Sequence, residues 1–492
     1  MSTVSFTRRT QQFWSWFSAN EETLSALTAN RRPEEGDTEK IIALVNEGTS
    51  LLAEDIKFNI GGVHEFTFAV SGNDALFFML PYVTENLPQQ LRDKWTFFPC
   101  MPGTNGQSFG FRMFGLNAET VDSDNVMVAA VKDESGRFVN LRFWAQPWER
   151  LPEKDCLNAF FILMEILIGE VLSAYCVANV ERANARSDDM FPLTKLQQWL
   201  LDNLCENGKV PNPADMHSAY KLDPKDMSEE PRSDVFVGAT NYTPLINDYY
   251  NKADDTYKTF TSFGARPLFL YFDYPTNDKA DQQAAFEKRN EIMDRIEAEI
   301  LGERGSGKEL GLLLGGAMGA YRAYIDLLLY DEEAFIEKAR ILLKDEPMMI
   351  LCKPFIHNGG EFPLFGYDDP NLEARLRYLH ECGAYHKILD ILEGLPQMND
   401  AQTGIYASAL NNVKRYEEAI EALEKIRKSG ENDARWHYRY GFALYHLNKF
   451  GEAIVHFRKV VELGDDDDGF VAACEDKMKK SRGLFGLFGG KE

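Results

Sequence analysis

A repeat near the carboxyl end constrains the fold of this chain more than any other feature. The segment KRYEEAIEALEKI (Lys414–Ile426) aligns with NKFGEAIVHFRKV (Asn448–Val460) at an offset of 34 residues. Ala419 then aligns with Ala453, and a small residue precedes each of them by twelve positions. Small residues at this spacing suit pairs of helices that approach closely. From about residue 371 the sequence therefore predicts helices only.

A looser copy of the repeat precedes these two, at roughly Leu372–Pro396 and at an offset of 31 residues. The three copies resemble tetratricopeptide repeats. The resemblance implies an all-α helical-repeat domain over residues 371–480 that binds protein, with the segment DDDDGFVAACEDKMKK supplying a final capping helix. We interpret its four consecutive aspartates as a solvated turn, because a calcium loop needs alternating ligands and a distal Glu.

The resemblance also implies a protein-binding groove lined by the first helix of each pair. With Gly441 as the register, the last two repeats are expected to present these side chains to it: Ser408, Asn411, Asn412, Arg435, Tyr438, Arg439, Phe442 and Tyr445. Aromatic residues mixed with arginine are typical of hot spots in protein interfaces. The carboxylate-clamp pattern of the family, which uses Lys and Asn, is not reproduced. The alternative is that the repeats only pack against the rest of the chain.

Residues 1–180 have the pattern of an α+β unit. Strand-like runs occur at Ile56–Ile60, Phe66–Val70, Trp95–Pro99, Val126–Val131 and Phe138–Trp144. An aromatic-rich helix precedes them, and a long apolar helix, Cys156–Val180, closes the unit. This order predicts a mostly antiparallel sheet with helices on one face. The closing helix has the length of a membrane span, but Glu165 and Glu170 inside it favour a helix packed on a sheet.

A second α+β unit is predicted over residues 235–345. Its clearest strands are Ala265–Tyr274 and Tyr324–Tyr330. Residues 181–234 are interpreted as a connecting segment, because Lys221–Asp234 is rich in Pro, Asp, Glu and Ser.

The segment LGERGSGKELGLLLGG (Leu301–Gly316) matches the first seven positions of the phosphate-binding motif G-x-x-x-x-G-K-[ST], but its eighth position is a glutamate. The preceding segment, Ala280–Ile300, has apolar residues at helical spacing. We therefore expect Gly302 to lie just past a helix end and expect no nucleotide site here. The glycines that follow are interpreted as a bulged hairpin between Leu314 and Tyr324.

Short strings in the first 345 residues resemble a bacterial domain family of unknown function related to the regulator of ribonuclease E activity B. These strings are FWSWFSANEETL, FGFRMFG, FVNLRFW and LLGGAMGAYRAYIDLLLYD. The resemblance implies an α+β fold in a bacterial cytoplasmic protein that acts by binding another protein. No functional residue is carried over from it.

The charge of the chain is unevenly distributed. The formal net charge is −24, yet residues 371–492 hold 18 basic against 20 acidic side chains, which leaves a net charge of −22 on the remaining 370 residues. Such a charge disfavours nucleic-acid binding, which needs fields of Lys and Arg. It is compatible with a basic protein partner such as a nuclease, although ordinary solubility is the stronger explanation for a charge spread over 370 residues.

The sequence shows no catalytic or metal-binding pattern. The eight histidines form no HExxH motif, and the seven cysteines include no CxxC pair, which indicates a reducing compartment and no zinc site. The amino terminus lacks a signal-like apolar run, so we expect a cytoplasmic protein that needs neither membrane, cofactor nor metal. Residues 481–492 form an apolar tail that either packs on the capping helix, serves as a docking motif or is disordered.

These observations favour a non-enzymatic adaptor or inhibitor. It would combine the helical-repeat groove with acidic α+β domains and regulate or neutralise a basic partner. The alternative is an enzyme whose active-site residues are too dispersed in the sequence to form a motif. The sequence leaves the oligomeric state open.

Overall fold

The computed structural model describes residues 4–28, 36–61, 64–112, 120–148, 152–224, 230–366 and 368–488. The chain mixes strands and helices up to strand Phe362–Pro363 and is a run of helices from Leu372 onward, so the predicted fold class is confirmed. Of the predicted apolar tail, residues 489–492 and the side chains of residues 481–488 lie outside this description.

The amino-terminal part consists of helices around a small sheet. Its helices are α1 Phe6–Thr28, α2 Asp37–Thr49, α3 Leu80–Glu85 and α4 Gln89–Arg92, and its strands are β1 Lys57–Gly61, β2 Glu65–Ala69 and β3 Thr96–Phe98, in the order β1-β2-β3. The buried face of α1 carries Phe6, Phe13, Phe17 and Leu24, each fully inaccessible to solvent. Their spacing of seven, four and seven positions keeps them on one side of the helix.

A second group of elements surrounds a four-stranded sheet. It comprises β4 Gly110–Arg112, β5 Thr120–Asp122, β6 Val126–Lys132, β7 Val139–Ala145, α5 Glu153–Ile168, α6 Glu170–Cys176, β8 Val177–Arg182, β9 Phe191–Pro192 and α7 Leu196–Asn203. The sheet has the order β8-β7-β6-β9, while β4 and β5 form a separate pair. The single sheet expected for residues 1–180 is therefore wrong: the strands divide into three small sheets, and the β2–β3 and β7–β8 pairs are parallel.

The predicted continuous helix Cys156–Val180 is also wrong, because the chain breaks at Gly169. Gly169 has φ +87°, and α5 and α6 meet at 113°. A Cβ atom there would lie 2.7 Å from the carbonyl oxygen of Met101, so the chain crossing at this point leaves room only for glycine. Among the described residues, no single helix is long and apolar enough to cross a membrane, and α5 with α6 meets that criterion only as a bent pair.

The third group is a seven-stranded sheet with helices on both faces. Its elements are β10 Ser218–Lys221, β11 Val235–Thr240, α8 Thr243–Asn251, α9 Asp255–Ser262, β12 Arg266–Asp273, α10 Lys279–Ile296, β13 Gly311–Gly319, β14 Arg322–Leu329, α11 Glu332–Leu342, β15 Leu351–Pro354 and β16 Phe362–Pro363. The strand order is β10-β11-β13-β14-β12-β15-β16. Strand β12 alternates between the two cores, with Leu268 and Leu270 on one face and Phe269 and Tyr271 on the other. This double burial explains its unbroken apolar sequence.

Two local predictions in this sheet are confirmed. Gly302 lies past a helix end with φ +88°, following a π-helical turn, Glu297–Leu301. Strands β13 and β14 form the expected hairpin, and its register shifts between Leu313 and Gly315, as a bulge requires. Gly315 has φ +135°, and a Cβ atom there would lie 2.1 Å from the carbonyl oxygen of Ala239.

The boundaries of the α+β units differ from the predicted ones. Residues 181–234 are not only a connecting segment, since they include β9, α7 and the edge strand β10. At the other edge, β15 and β16 extend the sheet beyond residue 345. The amino-terminal part also shares one core with the sheet: the rings of Phe6 and Tyr330 lie 5.3 Å apart, and the Tyr330 hydroxyl donates to the carbonyl oxygen of Phe78 at 2.6 Å.

The carboxyl-terminal part is a series of antiparallel helix pairs. Its helices are α12 Leu372–Glu381, α13 Tyr385–Glu393, α14 Asp400–Asn412, α15 Tyr416–Lys425, the short α16 Arg427–Gly430, α17 Ala434–His446, α18 Phe450–Glu462 and the final α19 Phe470–Phe488. Small residues lie where paired helices meet: Ala407, Ala419 and Ala453 are fully buried, and a Cβ atom on Gly441 would lie 3.2 Å from the ring of Phe457. The repeat spacing thus corresponds to close helix packing.

Candidate functional site

A groove runs along the first helices of the three pairs. Helix α14 packs against both α12 and α17, and these helices enclose a cavity of about 420 Å³ with the short α16 at one end. The cavity lining includes Arg377 and His380 from α12, Ser408 from α14, and Arg435 and Arg439 from α17. Residues far apart in the sequence are therefore brought to one concave surface.

Arg439 is the central charged group of this cavity. Among the described residues, none forms a hydrogen bond or an ion pair with its guanidinium group. Burial lowers the pKa of Arg439, and the positive charges of Arg435 and Arg377 add to this effect against the opposing charge of Asp433. The guanidinium group stays protonated in proteins. The guanidinium group is therefore a cation that has lost hydration through burial, and the nearby charge of Asp433 compensates for this loss only in part.

The room for this guanidinium group is made by Gly404 in the adjacent helix α14. A Cβ atom on Gly404 would lie 2.7 Å from Nη1 of Arg439, which is too close for an ordinary contact. The backbone of the same arginine is also fixed, because the Asn411 amide donates to the Arg439 carbonyl oxygen at 3.0 Å. Helices α14 and α17 thus position Arg439 together.

A second polar contact crosses from α12 to α14. His380 Nε2 and Ser408 Oγ are hydrogen-bonded at 2.8 Å. Burial lowers the pKa of His380, and the charge of Arg439 lowers it further. The imidazole is therefore mainly neutral at pH 7 and can accept a proton.

The predicted groove residues divide into two groups. Ser408, Arg435 and Arg439 line the cavity. Asn411 is buried and links α14 to α17, whereas Asn412 is exposed and donates to the carbonyl oxygen of Ser408 at 2.8 Å.

The aromatic part of the predicted groove does not lie open. Phe470, from α19, packs against Tyr438, Phe442 and Tyr445 at ring distances of 6.1, 5.7 and 5.1 Å. The Tyr438 hydroxyl also donates to Asp468 at 2.7 Å. Phe470 therefore covers part of these three side chains, which stay half-buried, and their contact with a partner remains a prediction. The last helix pair has no further repeat to cover its apolar edge, so α19 covers it.

Arg377 and His380 are among the cavity residues that were not predicted. At the offsets of 31 and 34 residues, Arg377 aligns with Ser408 and Phe442, and His380 aligns with Asn411 and Tyr445. Extending the register into the looser first copy would therefore have identified both. Neither a protein-family model nor a curated protein matches this sequence significantly.

Proposed function

We propose that this protein is a non-enzymatic adaptor or inhibitor that binds another protein in the groove of its helical repeats, with a carboxylate of the partner bound to Arg439. The observation that carries the proposal is the half-buried Arg439 guanidinium group, which faces a cavity without a described partner. The aligned helix pairs, which resemble tetratricopeptide repeats, support the same function.

A carboxylate is the group that best complements Arg439. The guanidinium presents parallel N–H donors that match the two oxygens of a carboxylate. Hydrogen bonds to charged groups contribute about 1.5–3 kcal/mol, more than neutral ones. Arg377 and Arg435, which also line the cavity, favour an acidic segment over a single isolated carboxylate. Glu381, Asp400 and Asp433 also line the cavity and restrict where that segment can lie.

The expected basic character of the partner concerns a different surface. The α+β part carries the net charge of −22, and such a field accelerates the association of a basic protein at low salt. We propose a partner with a basic body and an acidic segment that enters the groove, in the cytoplasm. The described cysteines are all free, which supports a reducing compartment.

The groove proposal is tested by selecting binders from a random peptide display library with the full chain. We expect enrichment of sequences rich in Asp and Glu. Arg439→Gln is expected to weaken synthetic versions of the selected peptides by about ten- to a hundredfold, because charge-assisted hydrogen bonds are lost. Arg458→Gln is the control, since Arg458 lies outside the cavity and is 63% exposed.

Two results would count against the groove. One is a selection in which acidic residues are not enriched. The other is an Arg439→Gln protein that keeps the wild-type affinity for the selected peptides. The basic body of the partner is tested, once a partner is identified, by measuring the association rate constant at increasing salt concentration. A rate constant that does not change with salt would contradict a role for the acidic α+β part in binding.

One contact favours the alternative function, an enzyme. Ser408 and His380 form a nucleophile–base pair at hydrogen-bonding distance beside the cavity. Among the described residues, no carboxylate is hydrogen-bonded to the His380 ring, so the third member of a triad is lacking. We therefore rank this function second.

A fluorophosphonate probe distinguishes the two functions directly. If the pair is catalytic, the probe labels wild-type protein at Ser408, and labelling is lost in Ser408→Ala and in His380→Gln. Ser429→Ala, a change at another serine of the same cavity, should leave labelling intact. Wild-type protein that is not labelled at Ser408 would eliminate the hydrolase alternative.

A further inference from the structure

Helix α5 has an apolar face that the described part of the chain leaves partly exposed. Its opposite face packs on the four-stranded sheet, where the rings of Phe160 and Phe143 stack at 4.2 Å. On the outer face, Phe161 is 46% exposed and Ile162 is 42% exposed, and Leu157 is half-buried. Neighbouring exposed apolar side chains indicate an interaction surface, whereas single ones are normal on any protein.

Two opposite charges lie at the ends of this face. Lys154 precedes Phe161 by seven positions and Glu165 follows it by four, so the three side chains point within about 40° of one another around the helix. Lys154 is exposed and Glu165 is half-buried. In the part of the chain that the structure describes, neither side chain forms an ion pair or a hydrogen bond. We call the set Lys154, Leu157, Phe161, Ile162 and Glu165 the α5 stripe.

The two charges of the stripe do not stabilise α5 itself. The helix dipole favours anions near the amino terminus and cations near the carboxyl terminus, whereas Lys154 lies in the first turn and Glu165 in the last. The neighbouring Glu153 and Asp155 have the sign that the dipole favours, but they point about 100° to either side of Lys154. Burial raises the pKa of Glu165, and the charge of Glu170 raises it further. A single copy of the chain therefore gives no reason for this pair of charges.

The stripe is complementary to a second copy of itself. Lys154 and Glu165 lie at equal distances on either side of the point midway between Ala159 and Phe160. In an antiparallel pair of α5 helices with a two-fold axis at that point, Lys154 of each copy lies opposite Glu165 of the other. The apolar side chains between these charges meet across the axis. One arrangement thus pairs both carboxylates and both ammonium groups.

We infer that the chain forms a two-fold symmetric homodimer in which the α5 stripes of two copies pack antiparallel, with the Lys154–Glu165 ion pair formed twice around an apolar centre at Phe161 and Ile162. A contact made mainly by one helix from each copy is smaller than the roughly 800 Å² per partner of a standard interface. The dimer is therefore weak, with a dissociation constant on the order of micromolar. The inference is independent of the repeat groove.

Sedimentation equilibrium of the full chain, over about a hundredfold range of concentration around the micromolar level, measures the dimer directly. Each copy has a net charge of −24, so the experiment is made at about 0.15 M salt, where charges more than about 8 Å apart are largely screened. We expect a monomer at the lowest concentration and a dimer at the highest. Phe161→Gln should weaken the dimer about ten- to a hundredfold, because two phenylalanines leave the contact. Ile341→Gln is the matched control, since Ile341 is 67% exposed on helix α11.

Reversing the two charges tests the antiparallel arrangement. Lys154→Glu alone places two carboxylates opposite each other at both ends of the contact, and Glu165→Lys alone does the same with two ammonium groups. Each is expected to weaken the dimer about three- to thirtyfold. If net charge alone mattered, Glu165→Lys would strengthen it instead. In the double variant Lys154→Glu/Glu165→Lys the ion pairs re-form with reversed sign, and the affinity should return to within about threefold of the wild type.

The inference is overturned if the wild-type protein sediments as a monomer throughout the concentration range, or if Phe161→Gln dimerises as tightly as the wild type. It is also overturned if the double variant dimerises no more tightly than the two single charge variants. Should Glu165→Lys fail to fold, the substitutions at the exposed Lys154 and Phe161 still decide: wild-type affinity in both Lys154→Glu and Phe161→Gln rejects the α5 contact.

Discussion

Gly404 lies against the guanidinium group of Arg439, with the position of a Cβ atom only 2.7 Å from Nη1. The two residues are on different helices of adjacent pairs, α14 and α17. A glycine inside a helix costs stability relative to alanine. Its presence here gives the arginine its position beside the cavity.

The first prediction follows from this contact. Gly404→Ala should raise the free energy of unfolding by up to about 1 kcal/mol, because alanine favours the helix. The added methyl group should displace the end of the flexible Arg439 side chain and weaken the binding of selected acidic peptides. The measurements are urea denaturation and peptide titration on the same protein. Stability and binding that fall together would mean that Gly404 serves packing alone.

The secondary structure of the α+β part is largely readable from the sequence. The strand predicted at Ala265–Tyr274 is β12, Arg266–Asp273, and the one at Tyr324–Tyr330 is β14, Arg322–Leu329. Both are apolar over most of their length, apart from charged residues such as Asp326 of β14, because each is buried on two faces. The helices of the repeats follow in the same way from small residues at fixed spacing.

What the sequence could not show depends on distant contacts. The break at Gly169 is imposed by Met101 and Pro102, which cross the helix from a remote part of the chain. In the groove, the register identifies which side chains share a face, but it does not show that Phe470 covers three of them. The cavity lined by Asp273, Arg322 and Lys387 likewise combines residues that lie far apart in the sequence and form no local motif.

The second prediction concerns the cap of the repeats. Phe470→Ala should lower the free energy of unfolding by about 2–3 kcal/mol, somewhat less than a fully buried phenylalanine, because Phe470 is partly exposed. Denaturant unfolding measures the change. Val455→Ala, at a residue 65% exposed on the neighbouring helix α18, is the control and should change stability by less than about 0.5 kcal/mol. If Phe470→Ala is as stable as the wild type, Phe470 does not hold these rings in place, and Tyr438, Phe442 and Tyr445 would again be expected to face the groove.

The third prediction concerns the junction at the α5–α6 break. Glu170 is 3% exposed, and its carboxylate accepts hydrogen bonds from the backbone N–H groups of Ser71 at 2.8 Å and Met101 at 2.9 Å. The single acceptor oxygen of glutamine cannot replace both oxygens. Glu170→Gln should therefore lower the free energy of unfolding by about 1–3 kcal/mol.

Glu165→Gln provides the comparison for this junction. Burial raises the pKa of Glu165, and the nearby charge of Glu170 raises it further, so the ionised form is disfavoured at this position. Removing the charge should leave stability unchanged or slightly increased. Thermal unfolding of both variants under one condition is the measurement. If Glu170→Gln and Glu165→Gln lose the same stability, the contacts of Glu170 with Ser71 and Met101 have no special role in joining this helix to the preceding chain.

The fourth prediction is a dependence of stability on pH that originates at His456. Its ring stacks on Tyr440 at 4.5 Å, and its Nδ1 lies 3.0 Å from Nδ1 of His437. Burial, which is the largest cause, together with the charges of His437 and Arg427 lowers the pKa of His456 to about 4, against the opposing effect of Glu424.

The direction of this pH effect follows from the pKa of His456, which is lower in the folded state than in the unfolded state. The unfolded histidine has its ordinary pKa of about 6.5 and gains a proton first as the pH falls. Stability should therefore be unaffected above about pH 6.5 and should decline between pH 6.5 and about 4, where only the unfolded state is protonated. The loss should be about 1–2 kcal/mol after allowance for partial solvent exposure.

Urea denaturation at a series of pH values measures this decline, and His456→Gln should reduce its slope. His446→Gln is the control. The pKa of His446 is also lowered, by burial and by Lys414, but His446 is exposed, so its contribution to the slope should be smaller. The prediction is contradicted if the free energy of unfolding of His456→Gln falls between pH 6.5 and 4 as steeply as that of the wild type. The acid sensitivity would then originate elsewhere, and the His437–His456 contact would not depend on a neutral His456 ring.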